Sequence, residues 1–393
     1  MSPPLFPLHL DLRGRRVLVV GGGAVARRRA GALAEAGAEV VVVAPEVAGG
    51  MPGEVLRRPF TAGDVDGAWL VVAATGVVDE AVAAACEARG VWCARADDAA
   101  RSAAWVPAVV RVDDVVLSLS AGRDPRRAVA LRDALRLALE TGELPLRRGR
   151  AGAGSVALVG GGPGDPDLLT VRGRRLLAGA DVVVRDRLAP QVSLSEGVEV
   201  VEVGKGGGSG SWSQRDIEAL LVGHAQRGRR VVRLKGGDVH VFARGIEEVA
   251  ACVAAGVPVE VVPGVSSALA VPALAGIPVT ARGLTQSISV VSAHLAPGAE
   301  GSTVDWDALA RLGGTLVLLM AVGRLGAVCD ALVAGGRPAG TPVAVVQDGS
   351  LPTQRTVVTT LGRAAVDAAG VQAPAVVVVG EVVGVRAAAS VPA

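Results

Sequence analysis

Two glycine-rich turns constrain the fold of this 393-residue chain more than any other feature of its sequence. The first, VVGGGAVARRR, begins at Val19, and the second, LVGGGPGDPDLL, begins at Leu158. Each turn joins a short apolar run to a helical pattern, and apolar runs and helical segments continue to alternate after it. Because this alternation is typical of parallel sheets with crossover helices, the sequence predicts an α/β protein built from two glycine-turn units.

The two units are separated by LPLRRGRAGAGS, residues 144–155, where the apolar periodicity stops. We therefore predict a first domain over residues 1–147, a linker over 148–154 and a second domain over 155–393. The turn sequence VVPG follows a strand-like run and predicts that the second domain divides into two lobes near residue 262. In the first domain, VVLSLSAG at 115–122 is predicted to close the sheet as its last strand.

Charge and cysteine usage limit the partners of the protein. The chain has a net charge of +2 and therefore lacks the excess of basic residues that is typical of nucleic-acid-binding proteins, so no nucleic-acid partner is predicted. No apolar run reaches membrane-spanning length and the first residues lack a signal-peptide pattern, which predicts a cytoplasmic protein without a membrane partner. The cysteines, Cys86, Cys93, Cys252 and Cys329, have no CxxC or zinc spacing, which predicts buried, reduced thiols and no metal site.

The first glycine turn has the spacing of a dinucleotide-binding turn, Gly21-x-Gly23-x-x-Ala26. The first glycine allows the tight turn, the second lets backbone N–H groups approach a pyrophosphate, and the small third residue lets the helix pack on the sheet. A turn needed only for packing is the alternative. No carboxylate ends the second strand, and Glu46 comes slightly later, so the choice between NAD and NADP stays open.

The motifs of the two halves resemble one enzyme family. GGGAVARRRAGALAEAGAEVVVVAP, AAT at 73–75 and WCARADDA at 92–99 are similar to the precorrin-2 dehydrogenase domain of multifunctional siroheme synthases. LVGGGPGDPDLL, VVRLKGGD, VVPGVSSALAVPALAGIPVT and TPVAVVQDGS resemble the tetrapyrrole methylase domain of the same family. The resemblance spans nearly the whole chain in family order, and it implies a Rossmann-like parallel-sheet domain followed by a two-lobed α/β methylase module.

The activity implied by the resemblance is S-adenosylmethionine-dependent methylation of uroporphyrinogen III, at C2 and C7, to precorrin-2. NAD-dependent oxidation to sirohydrochlorin then follows, and the family pocket also inserts iron to give siroheme. The second glycine turn then belongs to an S-adenosylmethionine cleft between the lobes rather than to a second dinucleotide site. The cofactor contacts implied there are Pro163, Gly236, Gly237, Asp238, Val241, Ser266, Ser267, Met320 and Gly349.

Acid–base groups are implied in both domains. A sulfonium donor needs mainly positioning, but the ring system must also lose a proton, and the resemblance assigns this work to Asp186 of RDRL and Lys205 of GKGG. In the first domain it assigns Asp97 as the general base that removes hydrogens from precorrin-2, with hydride passing to NAD. The NAD contacts implied are Gly21, Gly23, Ala24, Val25, Pro45 and Glu46.

Other features leave alternatives open. The tetrapyrrole substrate carries several carboxylates, which arginines could bind. Five arginines either face this substrate or are solvated helix positions: Arg172, Arg174, Arg175, Arg185 and Arg187. His240 either contacts substrate or is an ordinary exposed histidine. The resemblance implies a homodimer, although the helical stretch after Gly122 is shorter than the family's dimerisation segment. Besides the fused enzyme, the sequence allows a methyltransferase with a degenerate first domain, or a first domain that only senses nucleotide.

Overall fold

The computed structural model describes residues 6–98, 101–122, 124–144, 146, 153–204 and 212–385. The chain divides into two compact units, Met1–Arg136 and Leu137–Ala393. Most of the predicted linker, residues 148–152, lies outside the described residues. Over the described ranges, no helix combines the length and the apolar character needed to cross a bilayer. The same ranges contain no group of three His, Cys, Asp or Glu side chains that could hold a metal ion.

The first unit contains a five-stranded sheet, a hairpin and flanking helices. Its strands are β1 (Arg16–Val20), β2 (Glu39–Val43), β3 (Glu54–Leu56), β4 (Leu70–Ala73), β5 (Trp92–Arg95), β6 (Ala108–Val112) and β7 (Val115–Leu119). Its helices are α1 (Ala24–Glu35) and α2 (Asp79–Glu87), while α3 (Pro125–Thr141) crosses the division between the units. The order β3-β2-β1-β4-β5, with every pair parallel, confirms the predicted Rossmann-like sheet.

The segment VVLSLSAG forms β7, but β7 is not the last strand of the parallel sheet as predicted. It pairs antiparallel with β6 in a separate two-stranded sheet. The two strands are joined by Asp113 and Asp114, and Asp113 has a φ of +51°. Aspartate tolerates this left-handed conformation, and a two-residue turn of this kind brings consecutive strands together as a hairpin. Local turn chemistry therefore decided a pairing that the apolar pattern did not specify.

The second unit begins with another parallel sheet. Its strands are β8 (Ser155–Gly160), β9 (Val182–Arg185), β10 (Glu199–Glu202), β11 (Arg230–Lys235) and β12 (Val259–Val262), and its helices are α4 (Val171–Ala178), α5 (Gln214–Gln226) and α6 (Gly245–Ala254). The strand order is β10-β9-β11-β8-β12, and all pairs are parallel. Small apolar side chains fill both faces: Leu158 and Val231 lie in the cluster on one face, and Val159 and Leu234 in the cluster on the other.

A mixed sheet follows residue 262. Its strands are β13 (Ile288–Ser292), β14 (Thr315–Leu319), β15 (Pro342–Gln347), β16 (Arg355–Thr360) and β17 (Ala375–Val379), with helices α7 (Ser267–Leu274), α8 (Trp306–Arg311), α9 (Leu325–Ala334) and α10 (Ala364–Asp367). The order is β13-β14-β17-β15-β16, and only β13 and β14 pair in parallel. The predicted two-lobed α/β module did not specify the direction of these strands. β15 and β16 are joined by residues 348–354 alone, and so short a connection gives antiparallel pairing, because a parallel crossover needs a dozen or more residues.

Candidate cofactor cleft and dinucleotide turn

Three loops of the second unit meet at the carboxyl edge of its parallel sheet, after β8, β11 and β12. The backbones of Gly162 and Gly237 exchange hydrogen bonds of 2.6 and 3.2 Å. A Cβ added to Gly264 would lie 2.2 Å from the carbonyl oxygen of Gly237, and one on Gly160 would lie 2.5 Å from the nitrogen of Gly264. Because these neighbours are backbone atoms, no larger residue fits, and the glycines allow direct contact between the loops. Ligands of open α/β sheets bind at this edge.

Asp238 fastens two of these loops together. Its Oδ1 accepts hydrogen bonds from the backbone nitrogens of His240, at 2.8 Å, and Val241, at 3.3 Å. Its Oδ2 accepts from the nitrogen of Gly264, at 3.1 Å. Oδ1 therefore closes the turn within the loop after β11, and Oδ2 holds that loop against the loop after β12. His240 is exposed and follows Asp238 in the same turn.

Loops of the mixed sheet reach the same region. The nitrogen of Asp165, two residues after Pro163, donates to Ser350 Oγ at 3.0 Å. Gly349 packs so closely on α7 that an added Cβ would lie 2.4 Å from Val271 Cγ1. The hydroxyl of Ser266 caps α7 by accepting from the nitrogen of Ala268, at 3.3 Å.

The predicted cofactor residues are therefore brought together on loops that touch one another. Ala268 and Val271 of α7 share a core cluster with Leu319, the residue before Met320, which connects the end of β14 to the same region. The residues concerned are Pro163, Gly236, Gly237, Asp238, Val241, Ser266, Ser267, Met320 and Gly349.

Left-handed backbone conformations concentrate in these loops. Among the described residues, the non-glycine residues with positive φ are Asp113, in the β6–β7 hairpin, and Phe242, Arg244, Met320, Asp348 and Ser350. The last five lie in the loops after β11, β14 and β15. Such conformations are costly for side-chain-bearing residues and are found mostly where function requires them. They support the placement of a ligand site at these loop ends.

Asp186 lies just beyond β9 and is the outer member of a buried charge cluster that sequence reasoning missed. Arg233 Nη2 donates to Asp186 Oδ1 at 2.5 Å, and Lys235 Nζ lies 3.8 Å from Asp186 Oδ2. Glu248 of α6 accepts from Arg233 Nε and from Lys235 Nζ, each at 3.0 Å. Burial, together with the neighbouring Arg233 cation, lowers the pKa of Lys235. Arg233 and Lys235 belong to the motif VVRLKGGD. Two charged residues in an otherwise apolar strand were the sequence signal that could have indicated this cluster.

The other candidates of the second unit are Lys205 and the five arginines. Lys205 lies outside the described residues. Three of the arginines already face carboxylates of the chain: Arg172 pairs with Glu260, Arg174 with Asp167 at 3.5 Å, and Arg185 with Glu202. These internal pairs reduce the positive charge that the arginines could offer to an acidic substrate.

In the first unit, the glycine turn is closely packed on one side and open on the other. A Cβ on Gly21 would lie 2.4 Å from the carbonyl oxygen of Ala74, and one on Gly22 would lie 1.8 Å from that of Glu46. Gly22 was not singled out by the spacing rule, although no other residue fits there. Gly23 precedes α1, is exposed and has no atom within 4 Å of its added Cβ.

The exposed side of the turn contains most of the predicted NAD contacts. Ala24 and Val25 form the first turn of α1, and Pro45 and Glu46 follow β2, all of them exposed. The helix N-terminus and its free backbone N–H groups are thus available to a phosphate. Because no side chain covers the turn at Gly23, the phosphates of a dinucleotide can reach the backbone there.

Asp97 follows β5 and is held by Arg95. Arg95 Nε donates to Asp97 Oδ1 at 3.0 Å, and its Nη2 donates to Oδ2 at 2.8 Å. These hydrogen bonds lower the pKa of Asp97, so the group is a carboxylate at neutral pH but a weaker base than a free aspartate. The same guanidinium, 6% exposed, also binds Glu80 at 2.5 Å. Arg95 is therefore a residue of this site that the sequence did not reveal.

Asp79 organises the loop after β4, which contains the AAT motif. Its buried carboxylate accepts from the nitrogens of Thr75 and Gly76, at 2.9 and 3.0 Å, and from Thr75 Oγ1 at 2.5 Å. We expect Asp79→Ala to lower the free energy of unfolding by about 1–3 kcal/mol, because Thr75 and Gly76 lose the buried carboxylate that accepts their hydrogen bonds. Urea denaturation, followed by tryptophan fluorescence, measures this.

The matched control for Asp79→Ala is Glu87→Ala, which removes an exposed acid from the other end of the same helix. We expect it to change the free energy of unfolding by less than about 0.5 kcal/mol. Equal effects of the two substitutions would contradict the role given to Asp79.

Comparison with known proteins identifies both halves. Residues 155–365 match the family of Tetrapyrrole (Corrin/Porphyrin) Methylases, and residues 8–108 match an NAD(P)-binding family. The siroheme synthase of Chromobacterium violaceum is 37% identical over 96% of this chain and 95% of its own length. That of Azotobacter vinelandii is 36% identical over 97% of this chain and 96% of its own length.

Solved structures resemble the second half. Uroporphyrin III C-methyl transferase from Thermus thermophilus is 43% identical, with a TM-score of 0.51, and covers 59% of this chain and all of its own. The same enzyme complexed with S-adenosyl homocysteine gives the same values. A cobalt precorrin-4 methyltransferase is 27% identical over 58% of this chain and 95% of its own, with a TM-score of 0.53. These matches confirm the predicted resemblance, and the chain belongs to the siroheme synthase family.

Proposed function

We propose that the protein converts uroporphyrinogen III to siroheme in successive reactions. It methylates uroporphyrinogen III at C2 and C7 with S-adenosylmethionine to give precorrin-2, oxidises precorrin-2 to sirohydrochlorin with NAD, and inserts iron as a substrate. The observation that carries this proposal is the joining of a methylase unit and a dinucleotide unit in one chain that matches siroheme synthases over 96% of its length. A methyltransferase with a degenerate or purely sensing first domain accounts less well for the match to siroheme synthases, which extends over both units.

The loops of the second unit suit S-adenosylmethionine. Glycines at 160, 237 and 264 remove side chains where the loops meet, so backbone groups can approach a ligand, and we assign its contacts to the nine residues predicted above. Bound S-adenosylmethionine supplies a methyl group activated by its sulfonium. Asp186, with a side chain 29% exposed, is accessible to substrate and accepts the proton that the ring system loses. Lys205 is the second acid–base group that we assign to this reaction.

The turn before α1 suits NAD. The contacts assigned are Gly21, Gly23, Ala24, Val25, Pro45 and Glu46, and the absence of a Cβ at Gly22 keeps this turn tight. NAD supplies a hydride acceptor when bound. Asp97 is the general base for the oxidation, and Arg95 fixes the direction of its carboxylate by two parallel hydrogen bonds.

The domain boundaries that we propose are 1–147 for the dehydrogenase domain, 148–154 for the linker and 155–393 for the methylase, with lobes dividing near 262. The family match that begins at 155 and the end of the parallel sheet at β12 support them. We also propose a homodimer in the cytoplasm. Exposed apolar side chains on α3, Val129, Leu131 and Leu137, and the free buried thiols support these two proposals.

Product analysis under anaerobic conditions tests the proposal. Purified protein with uroporphyrinogen III and S-adenosylmethionine should give a dimethylated product by mass spectrometry. Added NAD⁺ should give the absorbance of sirohydrochlorin, and added Fe²⁺ should then give siroheme. Absence of methylation would refute the proposed function, and a dimethylated product that never oxidises would restrict it to the methyltransferase.

Asp97→Ala separates the two activities. We expect methylation to be unchanged and oxidation to fall by about 100-fold or more, because the positioned base is lost. Titration of NAD⁺ into the same variant checks that the dinucleotide still binds. Unchanged oxidation in this variant would show that Asp97 is not the base.

A further inference from the structure

An interior strand of the methylase unit carries two buried cations. β11 lies between β9 and β8, and interior strands of parallel sheets are normally apolar on both faces. Arg233 and Lys235 are nevertheless only 1% and 3% exposed. Because they are two residues apart on one strand, their side chains project to the same face of the sheet. Burial of two like charges side by side requires compensation within the protein.

Glu248 supplies that compensation. It is 0% exposed and lies in the first turn of α6, where the helix dipole favours a carboxylate. Its Oε1 accepts from Arg233 Nε at 3.0 Å and from Lys235 Nζ at 3.0 Å, and its Oε2 accepts from Lys235 Nζ at 3.1 Å. Glu248 therefore holds both cations by direct hydrogen bonds.

The cations in turn hold Asp186. Arg233 donates three hydrogen bonds. Its Nε donates to Glu248, its Nη1 to the carbonyl oxygen of Val184 at 3.3 Å, and its Nη2 to Asp186 Oδ1 at 2.5 Å. The side chains of Arg233, Lys235 and Glu248 are at most 4% exposed, whereas that of Asp186 is 29% exposed. The formal charges of the four groups sum to zero. Asp186 is thus the solvent-facing end of a buried and charge-balanced cluster.

We propose that Glu248 is a positioning residue for methyl transfer, because it holds Arg233 and Lys235 so that they orient the carboxylate of Asp186 toward the substrate. The inference rests on the proposed function, in which Asp186 takes the proton. In that step the methyl carbon leaves sulfur, which keeps the bonding electron pair, and forms a bond to a ring carbon. The ring system then gives one proton to Asp186. Glu248 touches none of the reacting atoms and acts only through the two cations.

The test compares Glu248→Gln with the double variant Lys235→Met/Glu248→Gln, each in the full chain. The readouts are the kcat of methyl transfer, the KM for uroporphyrinogen III, the Kd for S-adenosylhomocysteine and the thermal midpoint. In Glu248→Gln two buried cations face one anion, and we expect kcat to fall about 100-fold through displacement of Asp186. KM and Kd should change less than about threefold, since neither ligand contacts Glu248.

The double variant restores the charge balance and keeps an amide oxygen that accepts from Arg233. We expect its kcat to be about 10-fold below the wild type and therefore above that of the single variant, because a neutral hydrogen bond replaces a charge-assisted one. A merely structural role would lower the thermal midpoint and the ligand affinity without this recovery of kcat. Glu247→Gln is the matched control, since Glu247 is the next residue on α6 but pairs with exposed Arg244.

Wild-type kcat in folded Glu248→Gln would overturn the inference. If that variant does not fold, the double variant decides, and wild-type kcat there would overturn it equally. A parallel loss of kcat and S-adenosylhomocysteine affinity in the double variant would also overturn it, because the cluster would then support the fold rather than Asp186. Failure of the wild-type protein itself to methylate uroporphyrinogen III is a separate outcome, which refutes the proposed function.

Discussion

Replacement of Asp186 by asparagine should lower the rate of methyl transfer by about 10²- to 10⁴-fold, the usual contribution of a positioned acid–base group. Asparagine keeps the size of the side chain and can still accept from Arg233, which lies 2.5 Å away, but it cannot take up a proton. The affinity for S-adenosylhomocysteine should stay within about threefold, because the assigned cofactor contacts lie on other loops. Single-turnover assays and calorimetric titration measure the two quantities.

The control for this prediction is Asp330→Asn, an exposed acid on α9. It should leave both rate and affinity unchanged. If Asp186→Asn methylated at the wild-type rate, the proton acceptor would have to be another group. If it lost S-adenosylhomocysteine binding as well, Asp186 would be a determinant of the cleft rather than of the proton transfer.

Gly264→Ala should have the second large effect, through loss of the cofactor cleft. Its new Cβ would lie 2.2 Å from the carbonyl oxygen of Gly237 and 2.6 Å from Cα of Gly160, so the loops after β8, β11 and β12 would have to separate. Their separation also lengthens the hydrogen bond from Gly264 to Asp238. We expect the affinity for S-adenosylhomocysteine to fall at least about 100-fold and the stability to fall by about 1–3 kcal/mol.

Gly340→Ala provides the comparison, since no atom lies within 4 Å of its added Cβ and its φ is not left-handed. Calorimetric titration and thermal denaturation of the two variants give the affinities and stabilities. An unchanged affinity in Gly264→Ala would mean that S-adenosylmethionine does not depend on the contact between these loops.

Features encoded in local sequence were predicted well. The glycine turns, the alternation of apolar runs and helices, and the Rossmann-like sheet of the first unit follow from residues close together in the chain, such as Val19 to Ala26. The position of β7 was wrong because the competing hairpin depends on the turn at Asp113 rather than on apolar pattern. The strand order and directions of the mixed sheet were not predicted, since they depend on connection lengths and on long-range pairing.

The motifs of the candidate site could be predicted from the sequence, but its backbone conformations and the residues that hold Asp186 could not. The left-handed φ of Met320 cannot be read from a methionine, because the surrounding loops impose it. Glu248 could not be linked to Arg233 from sequence, since 15 residues and a change from strand to helix separate them. Two charges at alternate positions of VVRLKGGD were nevertheless a usable signal, because an apolar interior strand does not accept them without partners.

The position of β17 has a consequence for the synthesis of this protein. The strand is the last of the mixed sheet in the chain, yet it lies between β14 and β15 and pairs with both. Until Val379 leaves the ribosome, the pairs β13–β14 and β15–β16 lack the strand that joins them, so the five-stranded mixed sheet cannot be completed, although all strands of the parallel sheet have already been synthesised. A recombinant fragment ending at 365, where the family match ends, would omit this central strand and expose two sheet edges to aggregation.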